Sequence, residues 1–190
     1  MKNIKSLLII AILAISFSSC SDDDSPTAVN EEEVITTVRF VLSPVAGGAS
    51  VVMQSQDLDG DGPDAPVVTI MGTVLASTQY SGSVQFLNEL ETPAEDITLE
   101  VIEEADEHQV FYALTGSSNS TITYNDLDAD GNPIGVDFVF NSGIAGTDNV
   151  AIVTLRHEPN KGADGVSDGI IDNAGGETDV EVVFNYTVSN

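Results

Sequence analysis

Val180-Glu181-Val182-Val183-Phe184-Asn185-Tyr186-Thr187-Val188 puts Val180, Val182, Phe184, Tyr186 and Val188 on one side of an extended chain. Successive side chains of a strand point to opposite faces, so this period of two predicts a strand with one buried face and one wet face. The same pattern recurs upstream. Val34, Thr36, Val38, Phe40 and Leu42 share a face, with Arg39 opposite, and Ile134, Val136, Phe138 and Phe140 alternate around Asp137. Val150, Ile152 and Thr154 interleave with Ala151, Val153 and Leu155. Shorter β-rich runs lie at 50–54, 67–74, 82–87, 110–114 and 121–124. About nine strands separated by Gly, Asp, Asn and Pro turns predict an all-β antiparallel sandwich, Ig-like or jelly-roll-like. A wet face on every sheet excludes a parallel α/β fold, whose strands are covered on both sides.

One stretch departs from alternation. Thr92-Pro93-Ala94-Glu95 carries a capping box with Pro at the first helical position, ahead of Ile97, Val101 and Ala105 at spacing four. It predicts a short helix near 93–104, with a strand as the alternative because Ile97, Leu99 and Val101 also alternate. The acidic tail Glu103, Glu104, Asp106, Glu107 would lie at the negative end of that helix dipole, a local conflict.

The 190 residues carry 31 Asp plus Glu against 5 Lys plus Arg. Lys2 and Lys5 both fall in the first five positions, so the remainder carries 3 minus 31, or −28. Such a body repels phosphate backbones, which excludes nucleic-acid binding through a basic face. A single Cys makes neither an internal disulfide nor a thiolate cluster.

That Cys has a location of its own. Lys2 and Lys5 precede the apolar run 7–17, and Phe17-Ser18-Ser19-Cys20 follows. Eleven residues rise about 16 Å as a helix, short of a hydrocarbon core about 30 Å thick, so the segment reads as a signal peptide. Two small residues before Cys resemble a bacterial lipobox. The chain accordingly divides into a lipoprotein signal peptide (1–19), a lipidated Cys20 with an acidic tether (20–33), and one β-sandwich domain (34–190). Ser21-Asp22-Asp23-Asp24 looks like the acidic signal that sends some Gram-negative lipoproteins to the cell surface, the expected location, with a periplasm-facing outer-membrane anchor as the alternative.

Three acidic loops carry chemistry. Asp57, Asp59 and Asp61, and likewise Asp126, Asp128 and Asp130, each form D-x-D-x-D-G, the first half of an EF-hand calcium loop. The bidentate Glu at position 12 is missing: Val68 and Asp137 stand there. Asp and Gly are also ordinary hairpin-turn residues, so calcium and plain turns compete for the same signature. The third loop, 159–178, is long enough to suggest a function, and Asp164, Asp168 and Asp172 recur in it at spacing four. Its Gly165-Val166-Ser167-Asp168-Gly169 matches G-x-S-x-G without the strand and helix a nucleophile elbow needs, and no other motif supplies an enzyme's context.

The two histidines sit at expected strand ends. His108 follows Glu107, and His157 precedes Glu158. Antiparallel neighbours would bring them to one rim, where imidazole and carboxylate suit Zn²⁺ or another borderline metal, and two His could serve as axial haem ligands. The alternative is two unrelated polar caps. The candidate transition-metal ligands are His108, His157, Glu107 and Glu158.

The segments SCSDDD, NEEEVITTV, DLDGDGPDAP, DEHQVFY, LRHEPNK and GVSDG with the following NAGG together resemble a small family of outer-membrane or surface lipoproteins. That family is often labelled with a type 1 periplasmic-binding-fold name and looks associated with TonB-dependent receptors. The resemblance implies a lipid anchor and an uptake receptor as partner. The label implies a two-lobed α/β fold, whereas no βαβ alternation is present in these residues. Two functions follow: a non-enzymatic ligand- or metal-binding accessory lipoprotein, or a calcium-stabilised structural or adhesive module.

Overall fold

Each of the nine β-rich stretches contains a strand in the computed structural model, which describes residues 33–60 and 62–190. The signal peptide, Cys20, most of the tether and Asp61 lie outside the described residues. In chain order the elements are β1 (Thr37–Pro44), β2 (Val51–Gln56), β3 (Val67–Met71), β4 (Val74–Leu75), β5 (Gln79–Asn88) and β6 (Glu95–Asp96). Then come α1 (Thr98–Glu103), β7 (His108–Thr115), β8 (Thr121–Tyr124), β9 (Asp137–Asn141), β10 (Gly146–His157) and β11 (Glu177–Ser189). The run 67–74 is split at Gly72, whose φ of +92° favours glycine and turns the chain from one sheet to the other.

Two sheets result. The larger has the order β3-β2-β1-β5-β9-β8, with β6 added to β5; the smaller has the order β4-β11-β10-β7. Every strand pair is antiparallel except β4 on β11. This is an all-β sandwich, not the two-lobed α/β architecture of the periplasmic-binding label.

The alternating residues fill the space between the sheets. Phe40 stacks on Phe138 at 5.0 Å and lies 6.3 Å from Phe184 and 6.0 Å from Tyr112, so one ring joins both sheets. Burying such a ring is the main reason the strands associate, and truncating a core Phe to Ala costs about 3–5 kcal/mol. Gly82 on β5 makes the room: a Cβ there would fall 2.0 Å from Phe138 Cε2.

The helix is shorter than the capping box predicts. Glu95 and Asp96 pair instead with Asn88 and Leu87 of β5, and α1 begins at Thr98, whose hydroxyl receives the Phe86 N–H at 2.9 Å. Buried backbone groups on β5 thus recruit residues the local signature assigns to the first turn. Val101 of α1 enters the core.

The long loop 159–178 covers the outer face of β7. Val166 and Ala174 pack on Phe111, and Gln109 Nε2 donates to the Val166 carbonyl at 2.9 Å. Ser167 lies in a run of turns. By contrast, all five residues of β3 are exposed at the edge of the larger sheet. Among the described residues no helix is long and apolar enough to cross a membrane.

Candidate metal centre

Strand register brings the histidines together. His108 opens β7, His157 closes β10, and the antiparallel ladder pairs them directly. Both point to the inner face, on the same side as the next pair, Val110 and Leu155, which are core residues. Their rings stack with centroids 4.6 Å apart and planes at 27°. Both are buried.

Two acids complete the cluster, and neither is among the carboxylates that adjacency in sequence suggested. Glu33, read as part of the tether, is packed against the body: its Oε1 lies 2.8 Å from His108 Nε2, and its side chain is 6% exposed. Asp179 comes from β11 through a bulge. Leu155 pairs with Val180 and Arg156 with Thr178, which leaves Asp179 as the extra residue. An extra residue re-aims its side chain, and this one is only 2% exposed, with Oδ1 3.9 Å from His157 Nδ1. One donor atom from each of Glu33, His108, His157 and Asp179 lies within 4.8 Å of the other three.

The electrostatics follow from putting two carboxylates in one dry site. Burial pushes Asp179 up to about 6; the Glu33 charge pushes the same way, and the two imidazoles only partly compensate. Burial also opposes ionisation of Glu33 and His108, but their mutual hydrogen bond and attraction outweigh it, so Glu33 stays below the ordinary carboxylate value and His108 above the ordinary imidazole one. His108 Nδ1 lies 3.2 Å from the Glu104 carbonyl, to which it donates, leaving Nε2 to face Glu33. A backbone carbonyl holding Nδ1–H is the arrangement that presents Nε2 to a metal. Two carboxylate oxygens, Glu33 Oε2 and Asp179 Oδ2, are buried with no hydrogen-bond partner among the described residues. Orphaned buried oxygens are costly; a proton shared between the two acids satisfies them in part, and a cation would satisfy both.

The donor set suits a tetrahedral divalent ion. Bonds of about 2.0–2.1 Å place ligand atoms about 3.3 Å apart, so movements on the order of 1 Å would close these side chains on zinc. A haem does not fit. Bis-imidazole ligation needs nitrogens aimed at each other across the iron, whereas these rings lie face to face with no slot between them.

Glu107 and Glu158 lie further out. Both are exposed, and Glu107 Oε2 is 3.8 Å from His157 Nε2. They form a second, outer group with His157.

The Asp loops use their oxygens otherwise. Asp57 Oδ1 accepts the N–H of Asp59 and Gly60, and Asp59 Oδ2 that of Asp64. Asp126 accepts three backbone N–H groups, from Gly135, Val136 and Asp137, at 2.8–2.9 Å. Asp128 Oδ2 is 3.0 Å from the ammonium of Lys161, and both side chains are buried. Asp130 is exposed and carries no such contact. Among the described residues these aspartates do not converge as a group of possible ligands; the carboxylates of Asp57, Asp59 and Asp126 accept backbone N–H groups instead. No family model, curated protein or solved structure matches the chain.

Proposed function

We propose that this protein is a non-enzymatic, lipid-anchored accessory protein of the outer membrane that captures a divalent transition metal. Glu33, His108, His157 and Asp179 are its ligands. The observation that carries the reading is the pair of buried, unpartnered carboxylate oxygens on Glu33 and Asp179, set beside two stacked imidazoles. Two carboxylates and two neutral imidazoles carry −2, which a divalent ion cancels, so the loaded site is electrically neutral where charge is most expensive. The net charge of −28 on the chain without its signal peptide raises the cation concentration around the body. Attachment through Cys20 and delivery to a TonB-dependent receptor extend the proposal from the N-terminal sequence and the family resemblance.

Zinc titration of the mature chain in competition with a chromophoric chelator tests it. A tight step should be present in the wild type and absent from Glu33→Gln/Asp179→Asn and from His108→Ala/His157→Ala. Binding that is unchanged in both double variants removes the proposal. Mass spectrometry of membrane-extracted protein checks the anchor: diacylated Cys20 is expected at the mature N-terminus.

A further inference from the structure

His157 faces carboxylates on both of its nitrogens. Nδ1 points inward, 3.9 Å from Asp179 Oδ1, and Nε2 points outward, 3.8 Å from Glu107 Oε2. Both separations are too long for hydrogen bonds, and among the described residues neither nitrogen has another side-chain partner. Yet the side chain is only 7% exposed. An imidazole that has an acid facing each nitrogen, and no hydrogen bond on either among the described residues, offers both nitrogens as donors to a cation.

Backbone geometry holds the outer acids in place. Glu107 directly precedes β7 and Glu158 directly follows β10, so the pairs Glu107-His108 and His157-Glu158 cross at the same end of the sheet. The Glu158 N–H donates to the Glu107 carbonyl at 2.7 Å, tying the two together. Glu158 adopts φ of +49°, a conformation an L residue rarely takes, where its chain leaves the ladder. Glu107, His157 and Glu158 each offer one donor atom within 4.8 Å of the others.

We infer that His157 Nε2, Glu107 and Glu158 form a second divalent-metal site, open to solvent, which shares the His157 ring with the buried site. This rests on the inner site proposed above and adds to it a station at the surface. Three protein ligands leave a coordination position for water, so this ion is exchangeable while the inner one is enclosed. With both sites filled, Nδ1 and Nε2 of His157 would each hold one ion, and the ring's N–H proton would pass to solvent.

The test counts zinc ions on the mature chain by native mass spectrometry and follows the two steps by calorimetry. The wild type should bind two. Glu107→Gln/Glu158→Gln, both at exposed positions, should bind one, with the tighter affinity kept within about threefold. Glu33→Gln/Asp179→Asn should keep only the weaker ion. A second ion that persists in Glu107→Gln/Glu158→Gln belongs to the general acidic surface and overturns the inference. A wild type that binds one ion, lost from Glu33→Gln/Asp179→Asn, also overturns it and leaves the inner site standing. One ion lost only from the Glu107/Glu158 variant supports the outer site and ends the inner one. Circular dichroism of each variant checks that the sandwich is retained.

Discussion

Replacing Lys161 with Met tests how the long loop is held. Lys161 Nζ donates to Asp128 Oδ2 at 3.0 Å and to the carbonyls of Ala105 and Pro133, and its side chain is 6% exposed. The ammonium therefore ties the loop after β10 to the Asp126–Gly131 turn and to the chain just beyond α1. Met fills a similar volume but leaves the buried Asp128 charge and two carbonyls without their donor. Breaking a buried pair from one side costs about 3–5 kcal/mol. At roughly 2–4 °C per kcal/mol for a domain of this size, Tm should fall by about 6–20 °C. Lys161→Met/Asp128→Asn should recover part of the loss, because the stranded charge is gone. Acid unfolding gives the second readout. Burial pushes the Asp128 carboxyl up, but bonds from the Asn132 backbone and from Lys161 outweigh it and hold the group below the ordinary carboxylate value. A lowered folded-state pKa contributes stability that is complete above the unfolded value and is lost as pH falls through the folded one. The wild type should therefore keep this contribution at pH 5–7, and Lys161→Met should begin to unfold at higher pH than the wild type. A drop in Tm under about 3 °C, with an unchanged acid limb, would show that Lys161 is an ordinary surface lysine and refute the reasoning.

Asp179→Asn should melt higher than the wild type in chelator at neutral pH, because its amide brings no charge into the buried site, and should gain less from added zinc; differential scanning fluorimetry with and without zinc measures both. In the wild type, zinc at 100 times its dissociation constant should add about 2.7 kcal/mol, a rise of several degrees. Gly82→Ala should cost at least as much as a typical overpacking change, about 1–3 kcal/mol, since its Cβ would meet the Phe138 ring; urea unfolding checks this. Calcium should leave the wild-type melt within about 1 °C of that in chelator, because Asp126 and Asp128 already hold donors. A clear calcium shift would return the turn at 126–131 to the list of cation sites.

Alternation was readable because most strands bury one face, so the hydrophobic period survives in the sequence of β1, β10 and β11. The meeting of His108 and His157 followed from their position at two strand ends. The acids that complete the site were hidden for physical reasons. Asp179 stands next to Val180, and strict alternation puts it outside; only the bulge opposite Leu155–Arg156 turns it in. Glu33 ends a polar acidic run that looks like solvated tether, and nothing local shows that its partner lies 75 residues away. The capping box at Thr92–Glu95 is a genuine local preference overruled by pairing to β5. D-x-D-x-D-G describes both a calcium loop and a capped turn, and the cation that decides for Asp128 is Lys161, 33 residues further on.

The outermost strand has a practical corollary. Val67, Val68, Thr69, Ile70 and Met71 bear no charge, and their unpaired amides and carbonyls line an open edge. Such a ribbon invites the matching ribbon of a neighbouring molecule. Long-range repulsion between bodies of net charge −28 opposes that pairing. That protection shrinks with the Debye length, from about 10 Å in 0.1 M salt to about 3 Å in 1 M. Colloidal behaviour in concentrated brine is thus governed by counterions rather than by the shape of the sandwich.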